Sequence, residues 1–295
     1  CLTAWAICAG LGSPFGSCGG ALPVEARMAS LAAFAAALSS VNGLRGVALI
    51  PGTGEYALAT TPVRYATGLS QGRTANVNTP SGKTDFAVSL QQLREEAPLM
   101  RSVSLVVSWF GDDLRCDTCR VRPKVEQRVV DGRGMPWRAG GIARQAAAEV
   151  PRIDGKSIYG GTPCDQSVVE AIRAIGAAGL EVMFYPFVLM DQIAGNARPD
   201  PWSGAAEQPA LPWRGRITLS TAPGRDGSPD RSAAAEAEVA AFFGQAQAAH
   251  FTIAGGAVVY SGPVDDWGLR RFILHYAKLC ALAGGVDAFC IGSEL

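Results

Sequence analysis

The sequence has no excess of charge of either sign. Lys plus Arg and Asp plus Glu each number 26 in 295 residues, so the formal net charge is zero. Proteins that bind nucleic acid or an anionic membrane surface normally carry a basic patch or a basic excess. The composition therefore argues against direct binding of DNA, RNA or anionic lipid.

Long apolar runs are also missing. The run near the start, Leu2 to Leu11, is shorter than the roughly 18 residues that indicate a membrane span. It is not preceded by the basic segment of a secretory signal. We predict neither a transmembrane helix nor a signal peptide from these residues.

Cysteine is too sparse for a disulfide scaffold, with 8 in the chain. Cys280 and Cys290 fall on apolar helix and strand patterns, which are typical of buried free thiols. The pair Cys116 and Cys119 is a weak metal signal, because a zinc site needs four ligands and no second pair follows. A local disulfide or two unreactive thiols are the alternatives. We expect no metal, no cofactor, and synthesis in a reducing compartment.

What the chain does contain is enough apolar sequence for a large core, at 48% hydrophobic residues and 18% charged ones. From Thr84 onward, helix and strand patterns alternate. The predicted strands are Ser102 to Phe110, Leu180 to Val188, Ile217 to Ser220 and Val286 to Glu294. Such alternation indicates an α/β fold with a parallel sheet. No glycine-rich phosphate motif follows the strands, which argues against a dinucleotide-binding fold.

Several residues mark where these elements begin and end. Thr84 is expected to cap one helix and Thr162 the next, with Gly179 as the left-handed stop of the second. Gly255-Gly256 predicts a hairpin, and Asp265 or Asp266 is expected to cap a long final helix. The remaining expectations are two short extended runs around a turn, Val47 to Ile50 and Tyr56 to Leu58, and two helices. The helices are predicted over Ala26 to Leu38 and over Ser232 to His250, the second with Val239, Phe242 and Phe243 inward.

A complete (β/α)8 barrel needs about 250 residues and eight strands. About four strands therefore predict the first half of a TIM-barrel-like domain, preceded by an irregular Ala- and Gly-rich segment. We assign residues 1–46 to that segment, without a function, and residues 47–295 to the half barrel. Because the chain starts at Cys1 and stops directly after a strand-like run, we expect both ends to be internal cuts.

Candidate site residues lie where the predicted strands end, since a barrel builds its site from the carboxyl ends of its strands. Aromatic and acidic side chains recur there, as in sugar sites, where rings stack on pyranoses and carboxylates perform acid/base chemistry. The residues at these ends are Trp109, Asp112, Asp113, Tyr185, Asp191, Ser220, Ser293 and Glu294.

Several candidate residues have a plainer alternative role. Glu294 follows an apolar strand, so its pKa should rise as a general acid requires, but a Glu also commonly marks where a strand meets water. Asp112 and Asp113 contact substrate or simply solvate a loop. Trp213 and Arg214 reach an anionic sugar or serve to hold a loop. His250 and His275 lie on predicted helices away from the strand ends, and no Ser-His-Asp arrangement is supported.

Long motifs resemble the TIM-barrel-like domain of the large tail-tip protein of gene transfer agents and related phage-like particles. The resemblance extends from about Val47 to Leu295. The motifs that carry it are Ile50 to Leu58, Ala75 to Lys83, Val106 to Cys116, Leu211 to Thr218 and Phe289 to Leu295.

The resemblance implies a component of a particle tail, made in the cytoplasm, that assembles with other baseplate proteins and contacts the recipient envelope. The ending Ile291 to Leu295 resembles the acid/base strand of retaining glycosidases, which makes Glu294 the expected acid/base. Those enzymes usually carry Asn where this chain has Ser293.

Two functions stay open. The first is a retaining hydrolase of peptidoglycan or a surface glycan, whose nucleophile would lie beyond residue 295. The second is a non-catalytic carbohydrate-binding or structural baseplate module. Because a double displacement needs two carboxylates, these 295 residues alone are expected to be inactive. A half barrel with open edges is also expected to behave poorly in solution.

Overall fold

The computed structural model describes residues 43–50, 54–65 and 73–292, which form an α/β structure around one parallel sheet. The main strands are β1 (Gly46–Leu49), β2 (Ser102–Gly111), β3 (Glu181–Met190), β4 (Phe251–Ala254), β5 (Ala257–Tyr260) and β6 (Ala288–Phe289). The helices are α1 (Asp85–Glu96), α2 (Asp165–Ala177), α3 (Ala233–Phe243) and α4 (Leu269–Ala283). Four strands of the central sheet follow the order β1, β2, β3, β6, and these neighbours are all parallel. A fifth, short strand, Val121–Arg122, pairs antiparallel with the end of β2.

The segment between β2 and α2 is mostly irregular, as its Gly, Arg and Asp content predicts. Short strands cross it, and 3₁₀ turns occur here and later in the chain. The short strands of this segment are Val121–Arg122, Lys124–Val125, Gly132–Arg133, Arg138–Ala139, Ile142–Ala143, Ala148–Glu149, Arg152–Ile153 and Lys156–Ser157. One more short strand, Arg64–Tyr65, comes before α1 and pairs with Gly132–Arg133. The 3₁₀ turns are Arg144–Ala146, Arg214–Arg216 and Ala248–His250. This segment builds a second, smaller core with residues 56–63.

Helices cover one face of the central sheet. The residues of β2 and β3 that point to this face belong to the main core together with α1, α2 and α4. They are Val103, Leu105, Val107, Trp109, Val182, Phe184 and Val188. Apolar burial of this layer, at about 25 cal/mol per Å², is the main favourable contribution to folding of the sheet.

The opposite face, here called the open face, is lined by alternate residues of the same strands. They are Ser104, Val106, Ser108 and Phe110 of β2, paired in register with Met183, Tyr185, Phe187 and Leu189 of β3. Met183 is 38% exposed. The apolar run of β2 predicts a strand buried on both faces, as in most parallel sheets. In the described residues, the open face instead borders a cavity.

The predicted helix cap at Thr84, the glycine after α2 and the glycine hairpin turn are confirmed. The Thr84 hydroxyl accepts a hydrogen bond from the Ala87 amide at the start of α1. Gly179, Gly284 and Gly285 have positive φ after α2 and α4, where L-residues with a Cβ are strained. The hairpin of β4 and β5 turns at Gly255-Gly256.

The strand predicted at Ile217 to Ser220 is wrong. Thr218 makes only an isolated bridge to Arg115, in which its amide donates to Leu114 O at 2.8 Å. The run is too short to cross the sheet, and the loop after β2 occupies its hydrogen bonds. In the sheet, β6 therefore pairs directly with β3, and β1 supplies the fourth parallel strand on the other side of β2.

Two helix starts also differ from the prediction. Helix α2 begins at Asp165 after an N-cap at Cys164, because the Thr162 hydroxyl is already bonded to Ser108 O at 3.0 Å. Helix α4 has its N-cap at Gly268, and the Asp266 carboxylate accepts from the Gln245 amide instead.

The extended run predicted at Tyr56 to Leu58 is wrong, and the helix predicted at Ser232 to His250 was too long. Tyr56 to Leu58 lies in a turn closed by a hydrogen bond from the Ala57 amide to Gly54 O. Helix α3 ends at Phe243 because Gly244 has φ of 74°. Of the predicted inward residues of α3 only Phe242 is buried, and Val239 and Phe243 are largely exposed.

Two other predictions lie wholly or partly outside the described residues. Nothing in the structure describes the helix predicted at Ala26 to Leu38, or Glu294 at the end of the last predicted strand. The described part of that strand pairs only at Ala288–Phe289. Among the described residues, no helix is both long and apolar enough to cross a membrane.

Candidate functional site

A cavity of about 800 Å³ lies against the open face, toward the carboxyl ends of β1, β2 and β3. Its floor is formed by the alternate side chains of β2 and β3. Its walls come from three connecting segments: Ile50 and Gly54 after β1, Tyr159 to Gly161 before α2, and Trp213 with Arg214 after β3. Loops at the carboxyl ends of parallel strands are where α/β proteins build their sites.

Aromatic residues hold Arg214 against this cavity. Its guanidinium carbon lies 3.7 Å from the Phe187 ring centroid, within the range of a cation–π contact. It also donates a hydrogen bond to the Tyr185 hydroxyl at 3.1 Å. Tyr185 and Phe187 are two residues apart on β3, so their side chains share the open face. The predicted residues Tyr185 and Arg214 therefore meet in one wall.

Trp213 is the most exposed aromatic residue of the cavity, at 56%. Its ring lies over Gly215, where a Cβ would be only 2.5 Å from the ring. Gly215 therefore permits the ring to fold back beside the cavity mouth. An exposed indole face next to an aromatic cavity suits a sugar platform.

The predicted carboxylates after β2 lie at the same edge, but each is held by a cation. Asp112 pairs with Arg122 at 3.2 Å and accepts from the Arg120 amide. Asp113 pairs with Arg115 at 2.8 Å and accepts from Gln208 at 2.7 Å. Burial alone would raise the pKa of Asp113, but the hydrogen bonds from Arg115 and Gln208 outweigh it and lower that pKa.

Asp191 follows β3 and forms a buried ion pair with Lys124, with Nζ and Oδ2 2.5 Å apart. Both side chains are more than nine-tenths buried. Burial raises the pKa of Asp191, although the Lys124 charge opposes this shift. The Asp191 charge in turn contributes to a raised pKa of Tyr159, which lines the cavity and whose own burial is the larger cause.

Trp109 does not have the position that the sequence suggests. The side chain is 0% exposed and lies on the helix-covered face, where its Nε1 donates to the Tyr276 hydroxyl at 2.9 Å. Since side chains alternate along a strand, position 109 of β2 faces away from the cavity that Ser108 and Phe110 line. The prediction that Trp109 contacts substrate does not fit this position.

The remaining candidate residues either make contacts away from the cavity or lie outside the described residues. Ser220 is bonded to Glu238 through its amide and its hydroxyl. His275 is buried in the helix layer beside Asp165, at 2.9 Å, which agrees with a packing role. Ser293 and Glu294 lie outside the described residues, so the proposed acid/base stays a prediction.

The cysteines of the described residues are free thiols, including Cys116 and Cys119. Burial raises the pKa of Cys116 to about 11 and that of Cys119 to about 12. Both are therefore protonated and unreactive near neutral pH. No cluster of potential metal ligands occurs in the described part of the chain.

Sequence reasoning missed three residues of this region. Phe187 and Tyr159 line the cavity, and Lys124 neutralises Asp191. The alternation Tyr185, Phe187 would have identified Phe187, because both side chains share one face of β3. No pattern in the irregular segment before α2 indicates Tyr159 or Lys124.

The lowered pKa of Asp113 predicts a dependence of stability on pH. Because the folded-state pKa lies below the ordinary value of 3.8, ionised Asp113 stabilises the fold above about pH 4, and this contribution is lost as pH falls through the folded pKa. Asp113→Asn should cost about 1.5–3 kcal/mol at pH 7, since hydrogen bonds to a charged group are lost. The free energy of unfolding of Asp113→Asn should also decrease less as the pH is lowered than that of the unmodified chain.

Urea unfolding at a series of pH values measures this effect. The matched control is Asp265→Asn, which changes an exposed aspartate. The expectation is contradicted if the free energy of unfolding of Asp113→Asn decreases toward acid pH as steeply as that of the unmodified chain.

The described residues thus define a class: an α/β chain with a parallel sheet in sequential strand order, compatible with a TIM-barrel-like fold. The family model of the GTA TIM-barrel-like domain, GTA standing for gene transfer agent, matches residues 267–295. That segment contains α4 and β6. The predicted resemblance to this family is confirmed over this segment of the chain. A search of curated proteins found no match.

Proposed function

We propose that this chain forms the first half of a (β/α)8 barrel in the tail-tip protein of a gene-transfer-agent or phage-like particle. In this proposal it assembles with other baseplate proteins, and the rim of the cavity, at the carboxyl ends of the strands, contacts glycans of the recipient cell envelope. The observation that supports it most directly is the aromatic cavity at the carboxyl ends of parallel strands.

The arrangement of the sheet supports the half barrel. Its four main strands, β1, β2, β3 and β6, follow in chain order and are parallel to one another, as in successive β/α units of a barrel. Helices α1, α2 and α4 share one face with the core, whereas the open face borders the cavity. In a barrel, one face of every strand points to the interior and the other to the surrounding helices.

Whether the protein also hydrolyses the glycan depends on Glu294. The described carboxylates at the same edge, Asp112, Asp113 and Asp191, are all in ion pairs. These ion pairs favour the second candidate, a non-catalytic carbohydrate-binding module. A retaining hydrolase would need Glu294 as acid/base and a nucleophile about 5 Å away.

The binding function predicts a defined effect of Trp213→Ala. The 295-residue chain should bind purified peptidoglycan strands or recipient surface polysaccharide in calorimetry, and Trp213→Ala should weaken that binding about tenfold, because a stacked aromatic surface is lost. Phe243→Ala is the matched control, since this exposed aromatic lies on α3 away from the cavity lining. Lack of measurable binding by the unmodified chain to either glycan would contradict the proposal.

Glu294→Gln separates the two candidates. In protein expressed from the complete reading frame, the substitution should abolish release of reducing sugar and leave glycan binding in place if the protein is a hydrolase. If the unmodified protein binds glycan without releasing sugar, the binding module is the correct function.

A further inference from the structure

The loop between β3 and α3 carries a second exposed tryptophan outside the cavity lining. Trp202 is 40% exposed, and its indole Nε1 donates to the Arg216 carbonyl at 2.7 Å. The Arg216 guanidinium carbon lies 5.4 Å from the ring centroid. The Trp202 amide also donates to the Asp200 carboxylate. The ring is therefore exposed but fixed in place.

The same three-residue turn, Arg214–Arg216, positions both exposed tryptophans. Trp213 folds over Gly215, while Trp202 is bonded to Arg216, the next residue. Arg214 joins the turn to the sheet through Phe187. Because the two contacts fall on adjacent residues, the nearest atoms of the two rings are within about 12 Å of each other by backbone dimensions.

Two fixed indole rings held by one short turn suit a chain of sugars better than a single sugar. A flat apolar ring packs against the C–H face of one pyranose, while the polar edges of both partners stay in contact with water. A second ring beside the first can take a neighbouring sugar of the same polymer. Fixing both rings in advance lowers the entropy cost of binding.

We propose that Trp202 is a second sugar platform, so that the ligand is a glycan chain of several residues that extends from the cavity across the Arg214–Arg216 turn. This inference rests on the glycan-binding function proposed for the cavity. Trp213 then binds the part of the chain nearest the cavity, and Trp202 binds the part outside it.

The length of the ligand provides the test. Peptidoglycan strands from purified cell walls are separated into a disaccharide fraction and a long-strand fraction, and the affinity of the chain for each is measured by calorimetry. Trp202→Ala should weaken binding of long strands about five- to tenfold and leave disaccharide binding unchanged. Trp213→Ala should weaken both, and Phe243→Ala neither.

A role of Trp202 in holding the loop is tested with Trp202→Gln. This variant keeps a side-chain N–H donor for Arg216 O but removes the ring, so a platform predicts the same loss for long strands as Trp202→Ala. It also decides the question if Trp202→Ala does not fold, as judged by urea unfolding.

Each outcome has one meaning. The inference is overturned if both Trp202 variants bind long strands normally, if they lose affinity equally for both fractions, or if only Trp202→Ala loses affinity. If the unmodified chain binds neither fraction nor a surface polysaccharide, the glycan-binding function itself is contradicted.

Discussion

Replacing Arg144 with methionine should lower the free energy of unfolding by about 3–5 kcal/mol, because it leaves a buried carboxylate without its cation. Arg144 is 0% exposed and lies in the second core, within the irregular segment between β2 and α2. Urea unfolding followed by circular dichroism measures the change.

The Arg144 guanidinium binds four groups at once. It pairs with Glu55 and donates to Asp131 at 2.9 Å, to the Tyr56 hydroxyl at 3.1 Å and to the Gln127 carbonyl at 2.8 Å. These partners come from two distant parts of the chain, residues 55–56 and 127–131. Removal of the guanidinium therefore leaves several buried polar groups unsatisfied, which costs more than the loss of one surface pair.

Electrostatics support the same expectation. Burial raises the pKa of Glu55, while the Arg144 charge acts in the opposite direction. Burial also acts to lower the pKa of Arg144, but the Glu55 hydrogen bond and charge outweigh it and raise that pKa. Without Arg144, burial would favour the protonated form of Glu55, so the variant should lose less stability at low pH than at pH 7.

Arg138→Met is the control for this prediction, since Arg138 is an exposed arginine of the same segment; it should change stability by less than about 0.5 kcal/mol. The double variant Glu55→Leu with Arg144→Met should recover part of the loss, because it removes the unpaired carboxylate. An Arg144→Met variant as stable as the Arg138→Met variant would show that the network contributes little.

Arg144 also explains a motif that the sequence singled out without a role. Ile50 to Leu58 resembles the family pattern, and the structure shows that Glu55 and Tyr56 of this motif hold Arg144. A second motif, Ala75 to Lys83, contains Asn76, which bonds the Val63 amide and the Ala59 and Thr61 carbonyls. Both motifs therefore stabilise the second core, and none of Glu55, Tyr56 and Asn76 lines the cavity.

The parts of the fold that could be predicted from sequence are those with local signals. The long strands β2 and β3 are apolar runs of ten residues, and glycines with positive φ end α2 and α4. A strand of four residues has too short a sequence pattern to be predicted as firmly as β2 or β3. The four residues of β1 and the four of Ile217 to Ser220 look alike, and only long-range pairing decides that β1 joins the sheet.

The location of the candidate site could be predicted from the sequence, but the ion pairs that hold its carboxylates could not. Strand ends correctly place Asp112, Asp113 and Asp191 at one edge of the sheet, because Asp191 donates its amide to Gly111 across that edge. Their cationic partners are not predictable from strand position. Lys124 comes from an irregular segment whose path depends on tertiary contacts.

The position of Trp109 was not predictable for another physical reason. On β3, the charged Glu181 marks one set of alternate positions as the more exposed one, and Tyr185 belongs to that set. On β2, seven of the ten residues are buried, and no alternation in the sequence separates the two faces. An aromatic residue near the end of such a strand is equally compatible with the cavity and with the core.

Trp109→Ala should therefore destabilise the protein by about 3–5 kcal/mol through the cavity left in the core. The ring contacts Phe272, His275 and Tyr276 of α4, with centroids 5.1 to 5.8 Å away. It also fills the space beside Gly140, where a Cβ would lie 2.7 Å from the ring. Urea unfolding measures the loss, and glycan affinity is measured on the same preparation.

Trp109→Phe distinguishes packing from hydrogen bonding. It retains much of the ring but loses the bond to the Tyr276 hydroxyl, so a cost of about 1–3 kcal/mol is expected. Because Trp109 faces the helices, the folded fraction of either variant should bind glycan strands as tightly as the unmodified chain. Normal stability together with lost affinity would instead place this ring in the cavity, and the assignment of the two faces of β2 would then be wrong.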